Sequence, residues 1–422
     1  MGGCESPNHK GCYIYWQTGI METTESANLE KKTALGFKAF FFFKYMGQGV
    51  LYPFLVLYLN GKGITGAELG LLLTLLPLGK VAIAPVLSYL CDLYRIHKPM
   101  LITSMFFNTI GGFLLYRSED VFASFVFAMV LITLGEAVGD TLGITLALDF
   151  LAPRNRQTDY GKWRLWGAVG YMAGALFLGL FVLDSNIALV PLVFTLANLA
   201  AGLAAMIHPR ASAKKPQDWL GGLKILKEVR GFVLLLVGAV FSGFTFNVIQ
   251  SFYSVYMIEL GAASWMVGVG VGLQVLIEIL LSANTKRITD RIPLRYVYLS
   301  GFLVLPIRTV LYLLNRNPFT GLMIQNLHGF FIFSAFITGI LVLDRVLPGE
   351  WRATGQSYYV SAVVGIGAMA GSFFAPLVYD MSGMPALWIM AAAVGFTGFG
   401  LVTWATKILP GLASEKTEKG KV

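Results

Sequence analysis

Twelve stretches of about twenty residues, with few charges in any of them, dominate this sequence. They fall near 35–59, 67–91, 99–117, 121–150, 163–183, 187–207, 231–258, 264–284, 296–314, 320–343, 354–378 and 385–407. About twenty apolar residues in a helix cross roughly 30 Å of hydrocarbon, so each stretch has the length of a membrane span. In lipid every backbone polar group must be paired inside the protein, which leaves helices or closed barrels. Barrel strands alternate apolar and polar residues, and these segments do not. Only 13% of the chain is charged, against about a quarter in a soluble protein. The fold class that follows is an all-α membrane protein of twelve transmembrane helices.

The basic residues set an orientation. With the N-terminus in the cytoplasm, cytoplasmic loops hold 17 Lys and Arg between Arg95 and Arg352, against Lys62, Arg117 and Arg316 outside. Cytoplasmic loops carry such an excess, so both termini are expected inside the cell. The net charge of +9 is then accounted for without nucleic acid. A plasma membrane and a bacterial inner membrane both fit.

The longest polar interruption, "HPRASAKKPQDWLGGLKILKEVR", covers 208–230. The expected organisation is an N-terminal segment 1–34, a six-helix bundle 35–207, a central loop 208–230, a second six-helix bundle 231–407 and a tail 408–422. Asp92, after the second span, and Asp290, after the eighth, lie 198 residues apart. Twelve residues before each stand Lys80 and Glu278. Two such pseudo-repeat halves are the construction of secondary transporters, whose solute site lies near the midplane between them.

Ionisable groups inside spans are costly and mark cavities or ion pairs. Here they are Lys38, Lys44, Lys80, Glu136, Asp140, Arg164, Glu278, Arg308 and His328. Arg164 stands in "YGKWRLWGAVGY", and Tyr171 follows two turns later on nearly the same helical face. A cation and an aromatic ring on one inward face suit a polar ligand with an apolar side. The alternative is that Arg164 snorkels to the surface beside Lys162. Glu136 and Asp140, four apart, share a face and repel unless one is protonated or a cation intervenes. Glu278 has a cavity as its only route to water, or else pairs with Lys80 or Arg164. His328 is either a packing residue or part of a proton path.

No metal spacing, nucleotide loop or hydrolase motif is present, so no cofactor and no enzymatic reaction are expected. Cys4, Cys12 and Cys91 make no disulfide framework. "MGGCES" matches an acylation pattern, although a chain with many spans has no need of a lipid anchor.

Several of these segments resemble the major facilitator superfamily, and within it the lactose-permease-like and phenylpropionate-permease-like proton symporters. The likeness runs from helix one to helix twelve, and includes "FFFFKYMGQGVLYPFLVLYL" in the first helix and "RATGQSYYVSAVVGIGAMAGS" in the eleventh. "YGKWRLWGAVGY" resembles the group's fifth-helix signature, which implies a substrate-contacting role for Arg164. Tyr171 stands where the lactose permease stacks a tryptophan on its sugar. Arg308 and His328 match the spacing of that group's coupling arginine and histidine. "DLYRIHK" resembles the superfamily's cytoplasmic gating loop, keeping Asp92 and Lys98 and losing the central glycine. The chain departs where the permease has acids, with Phe331 after the histidine and Leu146 in the fourth helix. Gln325, and a residue near Ile366, replace lysines, and Glu278 lies about a turn from the expected glutamate. Galactoside transport is therefore not expected.

The resemblance and the buried charges together imply a proton-coupled importer of a small polar organic solute, working by alternating access as a monomer. Arg164, Tyr171, Glu278, Lys44 and Lys80 are the expected solute site. Glu278, His328, Arg308, Glu136 and Asp140 are the expected proton-coupling groups, and Asp92, Lys98 and Asp290 the gating-loop residues. A proton-driven exporter is the alternative, and a non-transporting receptor the most distant one. Among the deepest charges Lys44, Lys80, Arg164 and Arg308 outnumber Glu136, Asp140 and Glu278 by one, which favours an anionic solute, with a sugar or nucleoside as the alternative.

Overall fold

A computed structural model describes residues 10–409 and 412, apart from 120, 155, 157, 158, 185 and 210–224. For residues 10–27 it describes the backbone alone. The acylation pattern and the greater part of the central loop and tail lie outside the described residues.

Every regular element among the described residues is helical. Ten continuous helical stretches are long and apolar enough to span a bilayer. The bent pair Asn28–Leu51 and Leu55–Gly61 adds one more. Thr354–Ile408 is 55 residues long and divides at Gly383, whose φ of 75° and ψ of −178° interrupt the helix. Twelve spans result among the described residues. We number them α1 (Lys10–Leu51, continued by Leu55–Gly61), α2 (Gly66–Tyr94), α3 (His97–Arg117), α4 (Phe122–Arg154), α5 (Tyr160–Val182) and α6 (Ile187–Ala205). The second six are α7 (Phe232–Glu259), α8 (Ser264–Ala283), α9 (Leu294–Leu314), α10 (Pro318–Val346), and α11 and α12 before and after Gly383.

The departures from the expected spans have local causes. Pro53 lacks an N–H and disfavours helix at the residue before it, so α1 ends at Leu51 and resumes with a 46° bend. The last two spans run together because only Gly383 separates them, and its positive φ is easy for glycine alone.

Packing follows two groups. In the first, α1 lies against α5 and α6, and α3 against α4 and α6. In the second, α7 and α9 pack on the α11–α12 stretch, and α8 packs on α10. The chain is thus two six-helix bundles. They meet through α2 on α11 and α5 on α8. A Cβ on Gly179 of α5 would stand 2.7 Å from the Cα of Gly268 on α8, closer than real Cβ contacts come. Ser254 Oγ of α7 also donates 2.5 Å to the carbonyl of Pro53. These contacts lie toward the end remote from the basic loops. Nearer the basic-loop end, Asp140, Arg164 and Glu278 keep partial exposure.

Candidate functional site

The first bundle encloses a dense polar cluster. Lys44 and Gln48 on α1, and Tyr52 at the start of its break, repeat every four residues and so form one stripe. On α4, Glu136 and Asp140 face it. Lys44 Nζ stands 2.5 Å from Glu136 Oε1 and 3.7 Å from Asp140 Oδ1, so the cation that two adjacent carboxylates require is Lys44. Glu136 is 1% exposed. Its carboxylate also accepts from Gln48 Nε2 at 2.8 Å, Tyr52 OH at 2.5 Å and Asn108 Nδ2 at 2.7 Å. Asn108 reaches on to Asn198 Oδ1 at 2.9 Å. A buried ion pair is tolerable only when its remaining hydrogen-bonding capacity is met in this way. Asp140 takes 3.1 Å and 3.2 Å contacts from Gln48 and keeps partial exposure.

The second bundle holds a different network. Arg308 on α9 is fully buried. Its Nη1 is 3.1 Å from His328 Nδ1, and Nε and Nη2 donate to Tyr312 OH at 3.3 Å and 3.2 Å. Nη2 also donates to Gln325 Oε1, which accepts from Tyr312 OH at 2.6 Å as well. Gln325 Nε2 then donates 2.7 Å to Gln274 Oε1 on α8. Among the described residues Arg308 has no ion pair with a carboxylate. A guanidinium only donates, so His328 accepts through Nδ1 and carries its proton on Nε2. Phe331 stands in an aromatic cluster, 4.9 Å from Phe246 and 5.9 Å from Phe302 between ring centroids.

Between the bundles the expected solute residues separate. Arg164 lies over the ring of Tyr45, 3.9 Å from its centroid. A Cβ on Gly167 would be 2.8 Å from both Arg164 Nη1 and Tyr45 Cδ2, so the stack needs glycine there. Lys162 is turned outward and holds Asp159 at 2.8 Å. Tyr171 points across the interface instead, where its OH accepts from Gln250 Nε2 of α7 at 2.8 Å. Glu278 forms no ion pair or hydrogen bond through its carboxylate among the described residues. Its charge and that of Arg164 are within mutual electrostatic reach. His328 hydrogen-bonds Arg308, not Glu278.

A cavity of about 160 Å³ lies where the bundles join, lined by Tyr52 and Lys80 from the first and Phe246, Asn247, Gln250 and Ser372 from the second. Lys80 sits on a π-helical turn, Gly79–Ile83, just after Pro77. Such turns re-aim side chains and recur at functional sites. Of the five expected solute residues only Lys80 lines this cavity: Lys44 is sealed at 0% exposure by its carboxylates, Tyr171 reaches the lining through Gln250, and Arg164 and Glu278 are not part of it.

At the basic-loop end, Asp92 Oδ1 meets His97 Nε2 at 2.9 Å. Lys98 donates 2.8 Å to the carbonyl of Met206, away from Asp92. Asp290, on the short helix Thr285–Arg291, is exposed. Arg95 takes the left-handed conformation that ends α2, at φ 58°, where glycine is usual. Sequence reading missed one group here: Arg156 bridges Glu30 at 2.5 Å and Asp159 at 2.7 Å. The hydrogen bonds from Lys162 and Arg156 hold the Asp159 carboxyl below its usual range.

Residues 34–390 match the model of the MFS_1 like family. The chain belongs to that family. It is an integral, multi-pass transporter of the major facilitator superfamily. Its sequence is 25% identical over 345 residues to the maltose permease of Geobacillus stearothermophilus, covering 79% of this chain and 84% of that one. It is 24% identical over 380 residues to the probable 3-phenylpropionic acid transporter of Escherichia coli strain K12, covering 85% and 93%. The solved nucleoside transporter NupG has the same fold, with a TM-score of 0.77 at 14% identity, covering 89% of this chain and 99% of that one. In this MFS_1-like transporter the Tyr171–Gln250 hydrogen bond crosses from one bundle to the other, and Arg164 and Glu278, from opposite bundles, are within electrostatic reach of each other.

Proposed function

We propose that this protein couples proton entry to the uptake of a small polar organic solute by alternating access between its two bundles. The observation that carries this reading is the cavity at their junction, where Lys80, Asn247, Gln250 and Ser372 stand among apolar residues. Solute binds there between Lys80 of the first bundle and Asn247 and Gln250 of the second, and on its passage meets Tyr171, which holds Gln250, and Arg164, so moving one bundle against the other carries it across. Glu278 supplies the principal proton-binding carboxylate, free of ion pairs among the described residues and within electrostatic reach of Arg164. Asp140, tied to Lys44 but partly exposed, is the second candidate, and the sealed Glu136 and the Arg308–His328 network hold the helices that carry them. The relatives named for maltose and 3-phenylpropionic acid support a solute of this size and polarity. The basic-loop face is the cytoplasmic one, toward which the junction opens, and 208–230 is the tether between the bundles. The experiment is uptake of labelled sugars, nucleosides and organic acids into proteoliposomes with and without an imposed pH gradient. Accumulation only with the gradient fits coupled uptake; equal equilibration with and without it overturns the coupling.

A further inference from the structure

Lys80 differs from the other deep cations. Lys44 is held by two carboxylates, Arg164 lies on Tyr45 within reach of Asp140 and Glu278, and Arg308 is sealed among neutral acceptors. Lys80 lines the junction cavity, 5.7 Å from the Tyr52 ring centroid, and forms no ion pair or hydrogen bond among the described residues. The cavity lining contains no Asp or Glu. A cation at membrane depth calls for a counter-charge; the cavity lining supplies none among the described residues, and Asp140, the carboxylate within electrostatic reach of Lys80, is already engaged by Lys44 and Gln48.

The opposite wall completes a recognisable set of groups. Asn247 Oδ1 accepts from Ser372 Oγ at 3.1 Å, which orients the amide and leaves its N–H groups to donate. Gln250 is fixed by its bond to Tyr171, while its Oε1 is buried with no partner. A buried acceptor of this kind requires a donor. Lys80 and the Asn247 N–H groups together match a carboxylate, and Gln250 Oε1 matches a hydroxyl. Tyr52 and Phe246 supply flat apolar surface between them. The volume is about half the lower end of the roughly 300–1,000 Å³ typical of drug-sized ligands, and suits a single-ring or open-chain solute.

We propose that the solute is a hydroxy-carboxylate, its carboxylate paired with Lys80 and Asn247 and its hydroxyl donating to Gln250. The inference rests on the transport reading above and narrows its substrate class.

Ligand binding raises the midpoint of thermal unfolding, so the purified full-length chain can be tested directly. Phenyllactate, lactate and gluconate would each be compared with the corresponding primary amide, which keeps shape and hydroxyl but loses the charge. At least one acid should bind ten-fold or more tightly than its amide. Lys80→Arg should keep that preference, and Lys80→Met should reduce the acid to the level of the amide. Equal binding of acid and amide, a preference that survives Lys80→Met, or no binding of any acid overturns the carboxylate subsite. Should the Met variant fail to fold, the acid-to-amide comparison on the parent decides alone. Flux separates this inference from the transport reading: uptake of neutral sugars without acid binding sinks the subsite and leaves transport standing. Acid binding without uptake of any solute does the reverse.

Discussion

Lys44 Nζ lies 2.5 Å from Glu136 Oε1, and neither side chain is exposed. The pair joins α1 to α4 through hydrocarbon-facing helices, with Gln48, Tyr52 and Asn108 completing the carboxylate's shell. Removing one partner strands the other charge. Lys44→Met should therefore lower stability by about 3–5 kcal/mol, and adding Glu136→Gln to it should recover part of that loss. Thermal unfolding of the parent, both single variants and the double variant checks this. Additive losses would show that the two groups do not act as a pair.

Arg164 presents its planar guanidinium to the Tyr45 ring. Lysine offers a point charge with neither the flat face nor the fork. Arg164→Lys should express and fold while solute binding weakens at least roughly tenfold, or about 1.4 kcal/mol. Unchanged binding would return Arg164 to the role of a snorkelling surface residue.

The spans were legible because a bilayer demands about twenty apolar residues in succession, whatever they pack against. The intramembrane charges were legible too, since each interrupts such a run. The neutral members of the clusters were not. Gln48, Asn108, Asn198, Gln274 and Gln325 disturb an apolar run too little to mark it, and their partners are remote in sequence. Gln48 and Glu136 are 88 positions apart, and Gln274 and Gln325 are 51 apart. Only the packing of one helix on another decides which of them meet. Spacing placed Arg164 and Tyr171 on one face correctly in period. It could not show that Arg164 turns back to α1 while Tyr171 crosses to α7, because Gly167 opens that return path.

Topology is testable apart from chemistry. A reporter within 208–230, or at either terminus, should be reached by a membrane-impermeant label only from the cytoplasmic side. The concentration of basic residues on that face gives the expectation its sign. Labelling of the loop from outside would overturn the proposed orientation.

His208, just beyond α6, stacks on Phe37 with ring centroids 3.9 Å apart and meets Phe40 edge-on at 5.3 Å. Burial pushes its imidazole from 6.5 down to about 4, and the nearby Lys98 acts in the same direction. Between those values the unfolded chain holds the proton and the folded chain does not. Stability is therefore complete above about pH 6.5 and falls as pH drops toward 4, by at most about 3 kcal/mol. His208→Phe should remove this part of the dependence. The thermal midpoint of the parent should drop further than that of the variant between about pH 7.5 and about pH 5; parallel curves would refute the assignment.

Glu278 bears the heaviest functional expectation. Its carboxylate is partly exposed and has no ion pair among the described residues, and Arg164 is its electrostatic neighbour from the opposite bundle. When the bundles move relative to each other, the distance to Arg164 and the access to water both change. Each alters the relative free energies of the charged and protonated forms. A carboxylate so placed can load a proton on one side and release it on the other. Phe331 sits in an aromatic cluster and offers no acid, while His328 already accepts from Arg308. Glu278→Gln fixes the neutral form. It should abolish uphill accumulation driven by a pH gradient, because the proton no longer comes and goes. Exchange of solute across equal concentrations should persist at least in part, since that cycle needs no net proton movement. If the glutamine variant still concentrates solute under a pH gradient, the linkage lies elsewhere. Asp140→Asn is then the next variant to examine, because Asp140 keeps exposure that the sealed Glu136 lacks.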